Sequence, residues 1–143
     1  MFKEKERFVI ELVYILTALQ IYCKDAHYSL KGVYFKPLHE WADEIGDPIA
    51  DYLDEIKENY YMFNGLDVPR GTVINAEAVN YVPEELGSNE QILNNLLAVI
   101  TMAHNKINGL DIKESGLNDL LGRLDSHLMK HIALLNMAIK KEE

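Results

Sequence analysis

Four candidate metal ligands of one predicted helix, His39, Asp43, Asp54 and Glu58, share a face yet cannot share an ion. At 100° per residue, with His39 at zero, Asp43 falls at about 40°, Asp54 at about 60° and Glu58 at about 100°. Along the axis, however, Asp43 and Asp54 are separated by roughly 16 Å, whereas metal–oxygen bonds are on the order of 2 Å. Two arrangements reconcile these facts. Either the helix breaks and doubles back, or a second copy lies antiparallel to it, so that the His39/Asp43 end of one meets the Asp54/Glu58 end of the other. The second arrangement is isologous, with two equivalent sites per dimer and a symmetry point near Pro48 and Ile49. A fifth candidate, His27, precedes this helix.

The chemistry of the set narrows the ligand. Asp54 and Glu58 are like charges four residues apart on one face, which costs a helix a few tenths of a kcal/mol unless a cation sits between them. Mixed carboxylate and imidazole donors without thiolate suit iron, zinc or manganese and argue against copper(I).

Apolar spacing through Phe8, Val9, Leu12, Val13, Ile15, Leu16 and Leu19 predicts a first helix over residues ~4–29, with Gly32 ending or following it. A second runs from about Pro37 to Asn64-Gly65, where glycine supplies a left-handed stop. Gly46-Asp47-Pro48 is ambiguous: Asp47 could cap a new helix starting at Pro48, but the four ligands keep phase across the interruption, which favours a continuous, kinked helix. Residues 66–88, with Pro69, Gly71, Pro83 and Gly87 around a short helical piece at Asn75 to Tyr81, read as a long crossover. Such a crossover suits a bundle whose middle helices run parallel. Ser88 and Gln91 form a capping box for a third helix carrying Ile92, Leu93, Leu96, Leu97, Ile100 and Ile107. After Asn108-Gly109, a fourth begins between Ser115 and Asn118. The expected fold is therefore all-α: a ferritin-like four-helix bundle, one domain over residues 1–143, with a long crossover carrying a short helix between helices 2 and 3.

Composition supports a single core: 143 residues, 48 % hydrophobic, with no repeats or low-complexity tracts. No apolar run approaches ~18 residues, and the N-terminus leads into mixed charge, so no membrane association and a cytoplasmic location are expected. The single cysteine, Cys23, lies in an apolar stretch and reads as a core residue. A net charge of −9, from 23 acidic against 14 basic side chains, favours cations over nucleic-acid phosphates as ligands, although acidity also serves solubility.

The ordered set His27, His39, Asp43, Asp54, Glu58 resembles the ferroxidase signature of the Dps-type miniferritins. Phe35-Lys36-Pro37-Leu38-His39-Glu40, the Gly32 turn and Lys130-His131-Ile132 in the last helix extend the likeness over nearly the whole chain. The resemblance implies that two His and an Asp come from one subunit and an Asp and a Glu from its two-fold mate. It also implies that the five residues bind and oxidise Fe(II), preferably with hydrogen peroxide, and that Fe(III) is stored inside a hollow homo-dodecamer. Iron is the implied ion, with zinc as a substitute. Acidic pores near the start of the fourth helix would involve Asp111, Glu114 and Asp119; Asp119 matches best, and Ser115-Gly116-Leu117 is shorter than the acidic loop many members carry. Helix-capping acids are the competing reading. Tyr28 and Trp41, beside His27 and His39, could intercept radical electrons, with core packing as the alternative.

Other motifs are weaker. His127 and His131, without a carboxylate at helical spacing, read as capping or packing residues, and His104 has no recognisable constellation. No Glu has a His three residues on, so the intrasubunit di-iron motif of classical ferritins is unsupported. Many Dps proteins bind DNA through lysine-rich extensions, but here Lys3, Lys5 and Arg7 alternate with Glu4 and Glu6, and Lys140-Lys141 precede Glu142-Glu143. Direct DNA binding is expected to be weak. Two alternatives remain: a nucleoid-associated DNA-binding protein working through magnesium or Lys24, Lys31 and Lys36, and a structural oligomer holding zinc without turnover.

Overall fold

The computed structural model describes residues 2–140, and every regular element among them is helical. The elements are α1 (Phe2–Ser29), α2 (Phe35–Gly46), α3 (Ile49–Ile56), a π-helical segment (Lys57–Met62), α4 (Gly71–Ala78) continuing into a 3-10 turn (Val79–Tyr81), α5 (Asn89–Asn108) and α6 (Ser115–Ile139). The Lys141-Glu142-Glu143 end lies outside the described residues. No described helix is long and apolar enough to cross a membrane.

Side-chain bridges fix the directions. Glu11 pairs with Lys106, and Tyr22 accepts a hydrogen bond from Asn95, so α5 runs antiparallel to α1. His27 meets His39, and Cys23 meets Gly46, so α2 is antiparallel to α1 as well. The two middle helices are therefore parallel, as the crossover length requires. Trp41 to His131, the Ile45 carbonyl to His127 and Tyr52 to Arg123 place α6 antiparallel to α2 and α3. Leu12, Leu16, Leu19, Ile45, Ile49, Ile56, Ile92, Leu96, Ile100, Leu120, Leu124 and Leu128 fill the centre of this four-helix bundle.

The proline ambiguity resolves into both alternatives at once. Asp47 (φ −60°, ψ −42°) and Pro48 (φ −65°, ψ −18°) keep right-handed helical dihedrals, so the backbone never doubles back. The hydrogen-bond ladder nevertheless loses the bond that Pro48 cannot donate, dividing α2 from α3. Helical phase survives from His39 to Asp54. It is reset only in the π segment, where the Phe63 N–H bonds to the Glu58 carbonyl five residues back. Gly65, at φ +67°, ends the segment: the Leu66 N–H reaches the Tyr61 carbonyl and the Gly65 N–H that of Met62.

Boundaries differ from expectation in three places. α1 begins at Phe2 and α2 at Phe35, each two residues early; Pro37 falls within the first turn of α2, where the N–H it lacks would have no intrahelical acceptor. The crossover helix starts at Gly71 rather than Asn75, since extended Arg70 (ψ 146°) directly after Pro69 serves as its N-cap. The Ser88/Gln91 capping box is present in both directions.

Candidate metal centre

The last turn of α1 and the length of α2 from His39 to Asp43 bring His27, His39 and Asp43 together. The two imidazoles stack with ring centroids 3.4 Å apart and planes 22° from parallel. The Nδ1 of His27 lies 2.8 Å from the His39 carbonyl oxygen, and the Nδ1 of His39 bonds reciprocally to the His27 carbonyl. A carbonyl only accepts, so each Nδ1 carries the proton and each Nε2 keeps its lone pair, the tautomer a metal ligand needs. The His27 carbonyl lies in the last turn of α1, where intrahelical donors run out.

Asp43 stands beside the pair, with Oδ2 3.3 Å from His27 Nδ1 and Oδ1 2.9 Å from Lys24 Nζ. Lys24 also lies 3.7 Å from Asp47. The hydrogen bond that Lys24 donates to the Asp43 carboxylate is the main influence raising the pKa of its ammonium above the ordinary value. Sequence reasoning missed this cation as part of the site, although a position three residues before His27 shares its helical face.

Asp54 and Glu58 do not join this cluster. Both are exposed, Asp54 in an open groove with Pro48, Asp51, Tyr52, Glu55 and Arg123, and Glu58 inside the π segment. Among the described residues, no group of three or more His, Cys, Asp or Glu side chains in one protomer is placed to hold a metal ion. Folding within the protomer thus leaves Asp54 and Glu58 separate from the His27, His39 and Asp43 cluster.

The surrounding aromatic residues divide. Trp41 is half-buried and donates its indole N–H to Nδ1 of His131 at 3.1 Å. His131 is 2 % exposed, and burial, aided by His127 and Lys130, pushes its pKa down to about 4. Trp41 and His131 therefore fulfil the packing reading, and His127, bonded to the Ile45 carbonyl at 3.0 Å, ties α6 to α2. Tyr28 departs from it: at 75 % exposed, it touches the His27 ring edge-on and packs against no core, because its side of α1's last turn is left uncovered.

His104 does have a constellation. Its Nδ1 lies 2.7 Å from Oδ1 of Asp125, and Asn108 donates to Oδ2 of the same carboxylate at 3.1 Å, closing α5 onto α6. Only helix pairing reveals a partner on the next helix. Of the acidic loop, Asp111 and Glu114 are exposed and Glu114 makes no side-chain cap, while Asp119 pairs with Arg123 at 3.1 Å. The hydrogen-bonded capping alternative is therefore not realised at Glu114. Cys23 is buried as expected, and burial raises its thiol pKa.

No family model matches the chain, and no curated protein sequence matches it. Among solved structures it is similar to the X-ray structure of Dps from Thermosynechococcus elongatus, with a TM-score of 0.78, 19 % identity, and coverage of 97 % of this chain and 94 % of that one. At that identity the likeness establishes the fold, a ferritin-like helical bundle of the kind a Dps adopts.

Proposed function

We propose that this chain is a Dps-type miniferritin, a single ferritin-like domain that takes Fe(II) as substrate, oxidises it with hydrogen peroxide and stores Fe(III) inside a hollow homo-oligomer, a dodecamer built from two-fold dimers. The observation that carries the reading is the division of the five ligands. His27, His39 and Asp43 converge with both Nε2 lone pairs uncommitted, while Asp54 and Glu58 stay exposed on the same rod, at matching distances beyond Pro48. Laid antiparallel, two rods supply each Fe(II) with two imidazoles and a carboxylate from one copy and two carboxylates from the other. Few protein donors leave coordination positions for the oxidant.

In the overall reaction, two Fe(II) lose one electron each, hydrogen peroxide accepts both and its O–O bond breaks, and two protons complete two waters. His27 and His39 hold their ring orientation through the carbonyls that their Nδ1 protons engage, and Asp43 neutralises charge at the ion. Lys24 must yield Asp43 as the metal arrives. Exposed Asp111, Glu114 and Asp119 would give cations an acidic path into the assembly. Exposed Tyr28, edge-on to the His27 ring, is placed to serve as a sink for stray one-electron oxidation, whereas Trp41 is turned to His131 and serves packing. The expected setting is the cytoplasm.

Anaerobic loading with Fe(II), followed by peroxide, tests the reading. Rapid growth of Fe(III) absorbance, with iron eluting alongside a large assembly, is expected. Oxidation no faster than in protein-free buffer would reject turnover and favour a structural zinc site. Retarded DNA in a magnesium-dependent gel shift would instead support the DNA-binding alternative.

A further inference from the structure

We propose that Tyr34 and Phe35 of one copy pack against Phe63 and Met62 of a second copy, forming an apolar clamp that closes each end of the shared site. The proposal rests on the reading of a site divided between two copies, and it deepens that reading by naming the surface that holds them together.

Large exposed apolar side chains gather at the two ends of the α2–α3 rod. Tyr34 is 71 % and Phe35 40 % exposed at the start; Met62 is 64 % and Phe63 71 % exposed at the finish. These positions share the symmetry of the ligands. His39 and Glu58 are equidistant along the chain from the Pro48–Ile49 bond, as are Asp43 and Asp54, Phe35 and Met62, and Tyr34 and Phe63. A two-fold axis through that bond brings each residue level with its counterpart on the antiparallel rod. The arrangement that joins the half-sites therefore also joins the apolar ends.

Charge follows the same rule. Glu40 and Lys57 are equidistant from the bond, and neither makes an ion pair among the described residues of its own protomer. The antiparallel pairing sets each Glu40 opposite a Lys57, twice per dimer. The only like-charged counterparts are Asp43 and Asp54, the two carboxylates a cation would neutralise.

The area fits a dimer contact. With about 200 Å² for each large side chain, the exposed parts of these four residues amount to roughly 500 Å² per chain, over half of the ~800 Å² per partner typical of a stable interface. Phe35 already stacks on His39, with centroids 4.8 Å apart, so the clamp begins at a ligand. A methionine from the second copy suits the open edge of that ring. The π segment contributes because its wider turn advances the chain by less than 100° per residue. Met62 is thereby turned back toward the ligand face instead of past it.

The test is cross-linking of metal-free full-length protein. Positions 35 and 62 lie about 40 Å apart within one chain, so a short bifunctional maleimide cannot join them there. Phe35→Cys combined with Met62→Cys is expected to give a covalent dimer. Each single variant alone should give none, and a mixture of the two singles should give a dimer again; native Cys23 is buried. Absence of a covalent dimer from soluble, helical double variant would overturn the proposal. Sedimentation velocity of Tyr34→Asp and Phe63→Asp, both exposed in the protomer, gives a second decision: a smaller assembly supports the clamp, and an unchanged one rejects it. Cross-linking without iron oxidation would leave the clamp standing and remove the ferroxidase reading; oxidation without cross-linking would do the reverse.

Discussion

The ammonium of Lys24 lies 2.9 Å from a carboxylate oxygen of Asp43, the residue that also approaches His27. On the proposed function, a cation from the chain itself thus occupies the carboxylate that the metal would need. Lys24 reaches Asp43 from one turn before His27, so the competition is built into α1.

Removing this competitor should strengthen metal binding. The pair is partly exposed, and such pairs contribute little, so Lys24→Met is expected to raise Co(II) affinity only about two- to fivefold in calorimetric titration. The gain should shrink as salt screens the pair in the unmodified protein. Equal affinities at low salt would mean that the ammonium leaves Asp43 at no cost.

The approach of α2 to α1 depends on one missing methyl group. A Cβ at Gly46 would stand 2.7 Å from the Cβ of Cys23, which is no flexible side-chain tip, so a helix must shift. Overpacking of this kind costs about 1–3 kcal/mol, against a helix-propensity gain of up to ~1 kcal/mol for alanine over glycine. Gly46→Ala should therefore lose up to about 2 kcal/mol in urea unfolding. A stabilised variant would show that α1 and α2 adjust freely here.

Acid should weaken the fold through His131. Its pKa is pushed down to about 4 in the folded chain by burial first and by His127 and Lys130 second, against about 6.5 when unfolded. Between these values the unfolded chain binds more protons, so stability is full above about pH 6.5 and falls as pH drops toward 4. The loss could reach about 3 kcal/mol. His131→Gln keeps an acceptor for the Trp41 N–H but cannot titrate, and should flatten urea-unfolding stability across that window. An unchanged slope would assign the acid sensitivity to carboxylates.

Much of this architecture is legible from spacing. The capping box at Ser88, the left-handed stop at Gly65 and the parallel middle helices each follow from a local signal or a connection length. Helical phase across Pro48 was legible because the ligands on either side agree on a face. The π segment was not: a five-residue hydrogen-bond register arises from how Tyr60 and Tyr61 are drawn into the core, leaving their hydroxyls without partners. The His104–Asp125 pair was equally hidden, since its register depends on how α5 and α6 meet. Of the five candidate residues, His27, His39 and Asp43 come together within one protomer because α2 folds back along α1, while Asp54 and Glu58 lie apart from them, and no pattern in a single sequence displays a second copy.

Subunit mixing distinguishes a site shared between copies from one completed within a chain. His39→Ala with Asp43→Ala removes one half-site, and Asp54→Ala with Glu58→Ala removes the other; each double variant alone should lose rapid Fe(II) oxidation. When the two exchange subunits, a mixed dimer has one site lacking both halves and one site intact, built from the unaltered half of each copy. Random exchange makes about half the dimers mixed, so about a quarter of the original sites return. Stopped-flow oxidation before and after exchange measures this recovery. A site completed within one chain would give none, because neither variant carries both halves.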